Sequence, residues 1–451
     1  MPNTLAFYNT LAREKQAFTP IDERNIRIYA CGPTVYDRIH VGNARPLVAF
    51  DVLVRLLRYV YGQDRVTYVR NITDVDDKIN ARAIEEGVDI RVLTERTTRA
   101  FHDDCAALHV APPDQEPRAT DHIAEMISMI ETLIGKGHAY SAEGHVLFHV
   151  ASMEDYGSLS RRSRDELIAG ARVDVAPYKK DSGDFVLWKP SAPDQPGWDS
   201  PWGRGRPGWH IECSAMSAKH LGEEFDIHAG GLDLIFPHHE NEIAQSRCAH
   251  GTDGMARYWM HNGYVTVEGE KMSKSLGNFT TVEDVLADYP GEAVRFALLA
   301  AHYRAPLDFS RLAVAEAKTA LDGLYRAIGH AGDDRSEPDK GVMTALGDDL
   351  NTPNAIARLH ELAREANKGD AAAAARLKAS AGLLGLLEAD PDTWFRGGDG
   401  LDEAAIQKAI EARLNARKER NFAEADRIRD DLANQGILLE DTAEGTVWRR
   451  G

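Results

Sequence analysis

The sequence predicts an α/β protein whose parallel sheet is interrupted by an insertion and followed by helices. The stretches "NIRIYACG" (residues 25–32) and "RVTYVRN" (65–71) have the apolar content of buried strands, and a helical pattern lies between them. After a long run of shorter elements, "EFDIHAGG" (224–231) resumes the strand pattern. A strand–helix–strand unit of this kind is typical of a Rossmann-type parallel sheet that binds nucleotides.

The remaining elements of this sheet domain follow from local patterns. Between the first two strands, apolar residues recur at helical spacing and Gly62 ends the run. "TDVDDKINARAIEEG" (73–87) predicts a helix with an acidic first turn, which the helix dipole favours. A helix with Pro237 in its first turn is expected behind strand 224–231. "RYWMHNGYVTVEG" (257–269) predicts strands, and "EKMSKSLGN" predicts a polar loop after them.

Changes in composition and in the length of the predicted elements set the predicted domain limits. Residues 1–115 and 208–284 are the two halves of the Rossmann-type domain, and the Gly-, Pro- and Trp-rich region 116–207 is a subdomain inserted between them. Amphipathic patterns predict an α-helical bundle over 285–394. A linker then leads into a small mixed α/β domain at 395–451.

Composition restricts the class of protein. The net charge of −18 argues against nonspecific binding of nucleic acid, because a polyanion is repelled at long range, but it leaves room for a specific RNA partner. The chain has no apolar run long enough to cross a bilayer and no signal-peptide core at its N-terminus. We therefore expect a cytoplasmic protein without a membrane partner. The four cysteines are too irregularly spaced for a disulfide framework.

The stretch "HVGN", from His40 to Asn43, lies where the first helix should begin. A helix N-terminus presents unpaired N–H groups to a phosphate, and Gly42 allows the backbone to approach a ligand closely. His40 can donate a hydrogen bond to a phosphate oxygen as charge develops there. Taken alone, a capped helix start with an incidental histidine explains these four residues equally well.

The stretch "KMSKS" places Lys271 and Lys274 in a loop flanked by glycines. Paired ammonium groups suit a pyrophosphate leaving group, whose charge most needs neutralising in the transition state. A solvated charged loop is the alternative interpretation, although the methionine between the lysines is unusual in such a loop.

The stretch "HHENE" places His238 and Glu242 four positions apart, on one face of a helix. Cys31 ends the first strand, and Cys213 precedes the resumed strand. If the loops at the C-terminal ends of parallel strands converge on one crevice, the four residues could form a Cys₂-His-Glu zinc site. The alternatives are a buried thiol for each cysteine and a solvated helix face for the histidine.

The motifs at His40 and Lys271 occur in the order and setting of the class I aminoacyl-tRNA synthetase signature, and the chain resembles that family. The family form of the first motif is His-Ile-Gly-His, so Asn43 replaces its second histidine. By this resemblance, His40, Lys271 and Lys274 are catalytic, and with Gly42 and Asn43 they bind ATP accompanied by Mg²⁺.

From about residue 20 to the C-terminus, the chain resembles the cysteinyl-tRNA synthetase family within that class. The stretches "CGPTVYDRIHVGNAR", "RNITDVDDKI", "GRPGWHIECSAM" and "FDIHAGGLDLIFPHHENEIAQS" carry this likeness. The resemblance implies one zinc ion per chain, bound by Cys31, Cys213, His238 and Glu242, that selects the thiol of L-cysteine. Three positions match family residues of the cysteine pocket and one matches an adenosine contact, namely Thr73, Trp209 and His228, and Asp233.

The resemblance also implies the partner and the roles of the domains. A monomer would charge tRNA(Cys), with 116–207 as a connective subdomain, 285–394 contacting the tRNA stem and 395–451 binding the anticodon. Arg427, Arg429 and the ending Trp448-Arg449-Arg450 are the expected base contacts. The alternatives are a ligase that joins cysteine to an amino sugar, an RNA-binding paralogue without catalysis, and another nucleotidyl transferase with a structural metal.

Overall fold

The computed structural model describes residues 5–162, 177–267, 269–271, 279–329, 336–396, 403–433, 437–442 and 445–450. Its strands, in chain order, are β1 (Ala6–Asn9), β2 (Glu14–Ala17), β3 (Ile26–Ala30), β4 (Val66–Arg70), β5 (Ala139–Ala142), β6 (His145–Phe148), β7 (Phe185–Pro190), β8 (Gly205–Pro207), β9 (Phe225–Gly231), β10 (Ala256–Asn262), β11 (Val265–Val267), β12 (Glu270–Lys271), β13 (Leu307–Phe309), β14 (Ile437–Thr442) and β15 (Gly445–Arg450). Its α-helices are α1 (Val41–Tyr61), α2 (Asp77–Glu86), α3 (Ile90–Ala107), α4 (Ile123–Gly135), α5 (Trp209–Leu221), α6 (Glu240–His250), α7 (Val282–Leu286), α8 (Gly291–Leu299), α9 (Arg311–Ile328), α10 (Lys340–Gly347), α11 (Thr352–Ala366), α12 (Ala371–Leu383), α13 (Pro391–Arg396), α14 (Glu403–Lys418) and α15 (Phe422–Ala433).

A four-stranded sheet in the order β10–β9–β3–β4 forms the centre, and all its neighbouring strands are parallel. Its strands are almost wholly buried, as expected for a parallel sheet covered on both faces. Helix α1 makes the crossover from β3 to β4, so the predicted strand–helix–strand unit is present. The predicted Rossmann-type fold class is confirmed.

The inserted stretch contributes helix α4 and an antiparallel sheet in the order β5–β6–β7–β8. Its apolar side chains, in the part that the structure describes, belong to the core of the central sheet. Phe148 and Trp188 belong to the same buried cluster as Tyr29 of β3 and Trp259 of β10. The insertion is therefore packed directly on the central sheet.

One local prediction was wrong in detail. Glu270 and Lys271 form strand β12 against β11, and only the rest of the predicted polar loop, 272–278, lies outside the described residues. Pro237 lies in a wide helical turn, Ile235–His239, that runs directly into α6 at Glu240, so the predicted proline in the first turn is present. The acidic start of α2 is as predicted, since the Asp76 side chain accepts from the Lys78 N–H.

The chain divides into two compact units. The first comprises Met1–Lys318, Asp339–Arg358 and Leu383–Gly385, and it contains the central sheet and the insertion. The second comprises Thr319–Pro338, Leu359–Gly382 and Leu386–Gly451. Its last part pairs helices α14 and α15 with the hairpin β14–β15 around a small apolar core of Ile406, Ile410, Leu432 and Ile437. Within the described residues, no helix combines the length and apolar character needed to cross a membrane.

Candidate metal centre and nucleotide site

The four predicted ligands meet at the C-terminal edge of the central sheet. Their candidate donor atoms all lie within 4.8 Å of one another. Cys31 follows β3 directly, and His238 and Glu242 flank the start of α6, as their positions in the sequence suggested. Cys213, in contrast, lies on helix α5 and not at a strand end. It reaches the edge because α5 leads back into β9 and therefore starts on the side where the parallel strands end.

The donor set and its spacing fit a tetrahedral zinc ion. The Sγ atoms of Cys31 and Cys213 are 3.9 Å apart. Two zinc–sulfur bonds of about 2.3 Å at a tetrahedral angle would place them about 3.8 Å apart. His238 Nε2 lies 2.9 Å from Glu242 Oε1, a hydrogen-bond distance slightly shorter than the spacing of two ligands on one ion. Two thiols, an imidazole and a carboxylate are ligand types that zinc accepts.

Burial shapes the charges of this cluster, in which Cys213, His238 and Glu242 are buried and Cys31 is partly buried. Burial raises the pKa of the Cys31 thiol well above its usual range, whereas the hydrogen bond from Cys31 lowers the pKa of Cys213 to about 6. Burial disfavours both charges of the His238–Glu242 pair, but their attraction outweighs it and raises the pKa of His238 to about 10. The cluster thus favours one thiolate and one carboxylate, the forms in which these groups bind metal, whereas the charged His238 ring would have to lose its Nε2 proton when a metal binds.

Further histidines, which the sequence analysis missed, surround the four ligands. His238 Nδ1 lies 2.9 Å from Nδ1 of His210, and His239 Nδ1 lies 2.7 Å from Nε2 of His261. Burial lowers the pKa of His210 to about 3, so this ring stays neutral and can accept the proton of His238 Nδ1. Such an acceptor fixes the tautomer that leaves Nε2 for a metal.

A second, overlapping set of donors comprises Cys31, His228, His239 and Glu242. It offers one sulfur atom instead of two, and its His228 Nε2 is hydrogen-bonded to Glu242 Oε2 at 2.8 Å. Burial lowers the pKa of His239 well below its usual range, which keeps this ring neutral. The first set has two thiols and therefore the softer donors, and it fits zinc better.

The predicted pocket residues Thr73, Trp209 and His228 adjoin the cluster. The Trp209 ring, 40% exposed, stacks on His238 with ring centroids 4.2 Å apart. Thr73 is buried, and its hydroxyl donates to Glu212 Oε2 at 3.1 Å. Burial raises the pKa of this Glu212 carboxyl, another residue that the sequence analysis missed, well above its usual range.

His40 and Asn43 form a reciprocal cap at the start of helix α1. His40 Nδ1 accepts from the Asn43 N–H, and Asn43 Oδ1 accepts from the His40 N–H, each at 3.3 Å. The residue that replaces the family's second histidine is therefore engaged in capping. The cap also places the proton of a neutral His40 ring on Nε2.

Residues 279–282, which follow the predicted lysine loop, contact the residues at the start of helix α1. Val41 N–H donates to Thr280 O, Val282 N–H donates to Ile39 O, and the Phe279 ring contacts His40 with centroids 5.0 Å apart.

Lys274 lies outside the described residues, as does the side chain of Lys271, although the backbone of Lys271 belongs to β12. Asp233 is exposed in a turn after β9 and makes no capping hydrogen bond there.

Comparison with known proteins identifies the family. The family described as tRNA synthetases class I (C) catalytic domain matches residues 17–319. A cysteine–tRNA ligase of Rhodospirillum centenum is 63% identical, over 99% of both chains, and one of Paramagnetospirillum magneticum is 61% identical, over 99% of this chain and 100% of the relative. The chain belongs to the cysteine–tRNA ligase family.

Two further domain families match the rest of this cysteine–tRNA ligase family member. The DALR domain matches residues 341–388, and the cysteinyl-tRNA ligase anticodon binding domain matches residues 400–449. The second match argues against the amino-sugar ligase, which would lack such a domain.

Solved structures support the fold. Methionyl-tRNA synthetase of Mycobacterium tuberculosis aligns with a TM-score of 0.55 at 14% identity, over 80% of this chain and 89% of that one. The leucyl-tRNA synthetase of Agrobacterium radiobacter, solved in a ternary complex, aligns with a TM-score of 0.57 at 12% identity, over 84% and 85%. At such low identity, these likenesses establish the shared fold alone.

The C-terminal residues expected to contact bases have mostly local partners. Arg427 pairs with Glu424 at 2.6 Å and Asp431 at 3.0 Å, and Arg429 pairs with its acidic neighbours on α15. These contacts fit the alternative of a helix face with alternating charges. Trp448 packs against the small apolar core, and the side chains of Arg449 and Arg450 lie outside the described residues.

Proposed function

We propose that this protein is a cysteine–tRNA ligase that works in two steps. The carboxylate of L-cysteine attacks the α-phosphate of ATP, which releases pyrophosphate and leaves cysteinyl-adenylate. The terminal ribose hydroxyl of tRNA(Cys) then attacks the mixed anhydride. The observation that carries the proposal is the convergence of Cys31, Cys213, His238 and Glu242 at the sheet edge in a chain of this family.

The four residues would hold one zinc ion per chain. When bound, zinc accepts a thiolate far more readily than a hydroxyl, and this preference distinguishes cysteine from serine. The protein's own part is to orient the ion's ligands. His210 would accept from Nδ1 of His238, and Nε2 of His228 would hold the second oxygen of Glu242. Thr73, Trp209 and His228 would line the amino-acid pocket beside the metal.

The triphosphate would occupy the N-terminus of α1. His40 would donate from Nε2 to a phosphate oxygen, Gly42 would allow close backbone approach, and Asn43 would hold the cap. Lys271 and Lys274 would neutralise the leaving pyrophosphate, with Mg²⁺ shielding the phosphates of ATP. Asp233 would contact adenosine. No covalent enzyme intermediate is required, so catalysis consists of positioning and charge stabilisation.

The domain limits given above remain predictions, and we assign a role to each domain. Residues 116–207 would act as the connective subdomain, 285–394 would contact the tRNA stem, and 395–451 would bind the anticodon. We also propose that the protein acts as a cytoplasmic monomer.

The test is cysteine-dependent exchange of pyrophosphate into ATP, followed by charging of tRNA(Cys). The proposal expects exchange with cysteine, little exchange with serine, one zinc per chain, and aminoacylation of tRNA(Cys) transcripts. Exchange without aminoacylation would favour the amino-sugar ligase, and absence of both would favour the RNA-binding paralogue. Equal exchange with cysteine and serine would contradict the role of the metal.

A further inference from the structure

Helix α5 turns one face toward the metal centre, and a buried carboxylate lies on that face. Trp209, Glu212 and Cys213 occupy positions i, i+3 and i+4, which share one side of a helix. Trp209 stacks on His238, and Cys213 is one of the four clustered ligands. Glu212, only 1% exposed, therefore adjoins the predicted amino-acid pocket, and the two-step mechanism assigns it no task.

A directed chain of hydrogen bonds ends at this carboxylate. The Gly32 N–H donates to Asn71 Oδ1 at 2.9 Å, and Asn71 Nδ2 donates to Thr73 Oγ1 at 3.3 Å. Thr73 Oγ1 in turn donates to Glu212 Oε2 at 3.1 Å. Because its only proton is used in this bond, the Thr73 hydroxyl can offer a ligand nothing but a lone pair. Thr73 and Glu212 together form an acceptor surface suited to a cation.

The Glu212 carboxylate has no cationic partner in the part of the chain that the structure describes. Within the described residues, the carboxylate forms no ion pair with a lysine, arginine or histidine, and Oε1 has no hydrogen-bond donor. Glu242, by contrast, is paired with His228 and His238. An ionised carboxylate whose one donor is a hydroxyl is costly to bury, so a cationic ligand group would stabilise the ionised form of Glu212.

We propose that Glu212 binds the α-ammonium group of the amino-acid substrate, with the Thr73 hydroxyl as a second acceptor. This inference rests on the proposed function, since it assumes that an amino acid lies beside the metal. Sulfur at the metal and the ammonium group at Glu212 would fix the substrate at two points. The carboxylate of the substrate would then be oriented toward the triphosphate at His40.

The test compares thiols that differ in one group, on the full-length zinc-loaded protein. Cysteamine carries the thiol and the ammonium group, whereas 3-mercaptopropionate carries the thiol and a carboxylate but no amine. Both are measured as inhibitors of cysteine-dependent exchange, with Glu212→Gln beside the unmodified protein. Glutamine has nearly the same shape and keeps an oxygen to accept from Thr73.

Loss of a charged hydrogen-bond partner is expected to raise the KM for cysteine and the Ki of cysteamine about 10- to 100-fold in Glu212→Gln. The Ki of 3-mercaptopropionate and the zinc content should stay within about 2-fold, since hydrogen-bond losses at the amine leave the thiol contact unchanged. Glu212→Asp, which keeps the charge, should recover part of the loss. Equal weakening of both inhibitors, or of neither, would overturn the proposal.

Two further variants serve as controls, and the possible outcomes distinguish failure of this inference from failure of the proposed function. Thr73→Val removes the hydroxyl that orients Glu212, and it should show the same selectivity for cysteamine if Glu212→Gln does not fold. Asp226→Asn alters another buried carboxyl, which lies near the start of β9, away from the metal cluster, and accepts from the N–H groups of Ile21 and Arg27; it should not discriminate between the two inhibitors. If the unmodified protein shows no cysteine-dependent exchange, the proposed function itself has failed. If exchange and zinc persist without selectivity, only this inference has failed.

Discussion

The Sγ atoms of Cys31 and Cys213 lie 3.9 Å apart, although 182 positions separate the two residues in the chain. One thiol follows a central strand, and the other lies on the helix that returns to the sheet. Folding of the Rossmann-type domain alone brings them together. The two thiols are the softest donors of the cluster, so zinc binding should depend most strongly on them.

Cys213→Ser is expected to lower bound zinc and cysteine-dependent exchange together, each by at least about 100-fold, because a serine hydroxyl ligates zinc poorly. Zinc per chain after dialysis, measured by atomic absorption, gives the first quantity. Cys248→Ser is the matched control, since Cys248 is half-buried and lies outside the cluster. Full zinc content in Cys213→Ser would remove this residue from the ligand set.

His210→Phe tests the orientation of the histidine ligand. The change keeps a ring of similar size but removes the acceptor 2.9 Å from His238 Nδ1. Loss of such an outer partner typically weakens metal binding about 10- to 100-fold. Zinc affinity is measured by competition with a chelating dye, with His220→Phe on the same helix as control. Equal affinities of the two variants would show that His238 needs no acceptor.

Much of the fold could be predicted because its central strands are buried on both faces. Strands β3, β4 and β9 are buried at nearly every position, and apolar residues fill more than half of β3 and β4, a pattern that can be read without any knowledge of their neighbours. The antiparallel sheet of the insertion was not predicted. Its strands are short, and β7 pairs with β6 through a shift of register, so alternation is weak.

A residue of the candidate site could be predicted only where a metal-ligating residue type coincided with the end of a predicted strand or with helical spacing. Cys31 follows a strand, and "HHENE" combines two ligand types at helical spacing. The roles of His210 and His261 depend on contacts with residues 28 and 22 positions away, which no local pattern encodes. One feature of the sequence could have indicated that His261 lies near the site. His228 and His261 both lie on predicted central strands, and the C-terminal ends of parallel strands meet at the same edge of the sheet.

Asn43 should behave as a helix cap more than as a phosphate ligand. Asn43→Ala removes the acceptor of the His40 N–H, and it is expected to lower the free energy of unfolding by about 1 kcal/mol. Asn43→Asp keeps an acceptor and should preserve stability, but its added charge should raise the KM for ATP. Urea unfolding and exchange kinetics measure the two effects. Unchanged stability in Asn43→Ala would show that the capping box contributes nothing.

Asp104 predicts a dependence of stability on pH. This residue of α3 is 2% exposed, and burial raises its pKa from 3.8 to about 6 despite an ion pair with Arg38 at 3.4 Å. A raised folded-state pKa means that ionisation destabilises the folded protein. The cost is absent below about pH 4, where both states are protonated, and complete above pH 6, where both are ionised. A difference of about two pK units corresponds to roughly 2–3 kcal/mol.

Asp104→Asn removes the ionisation while its amide oxygen can still accept from Arg38. We expect the variant to be more stable than the unmodified protein by about 2 kcal/mol at pH 8, with the difference vanishing near pH 4. Urea unfolding at both pH values measures it, and Asp103→Asn, an exposed neighbour, is the matched control. A loss of stability at pH 8 would mean that the ion pair with Arg38, which also contacts Glu283 at 2.7 Å, outweighs the burial of the carboxylate.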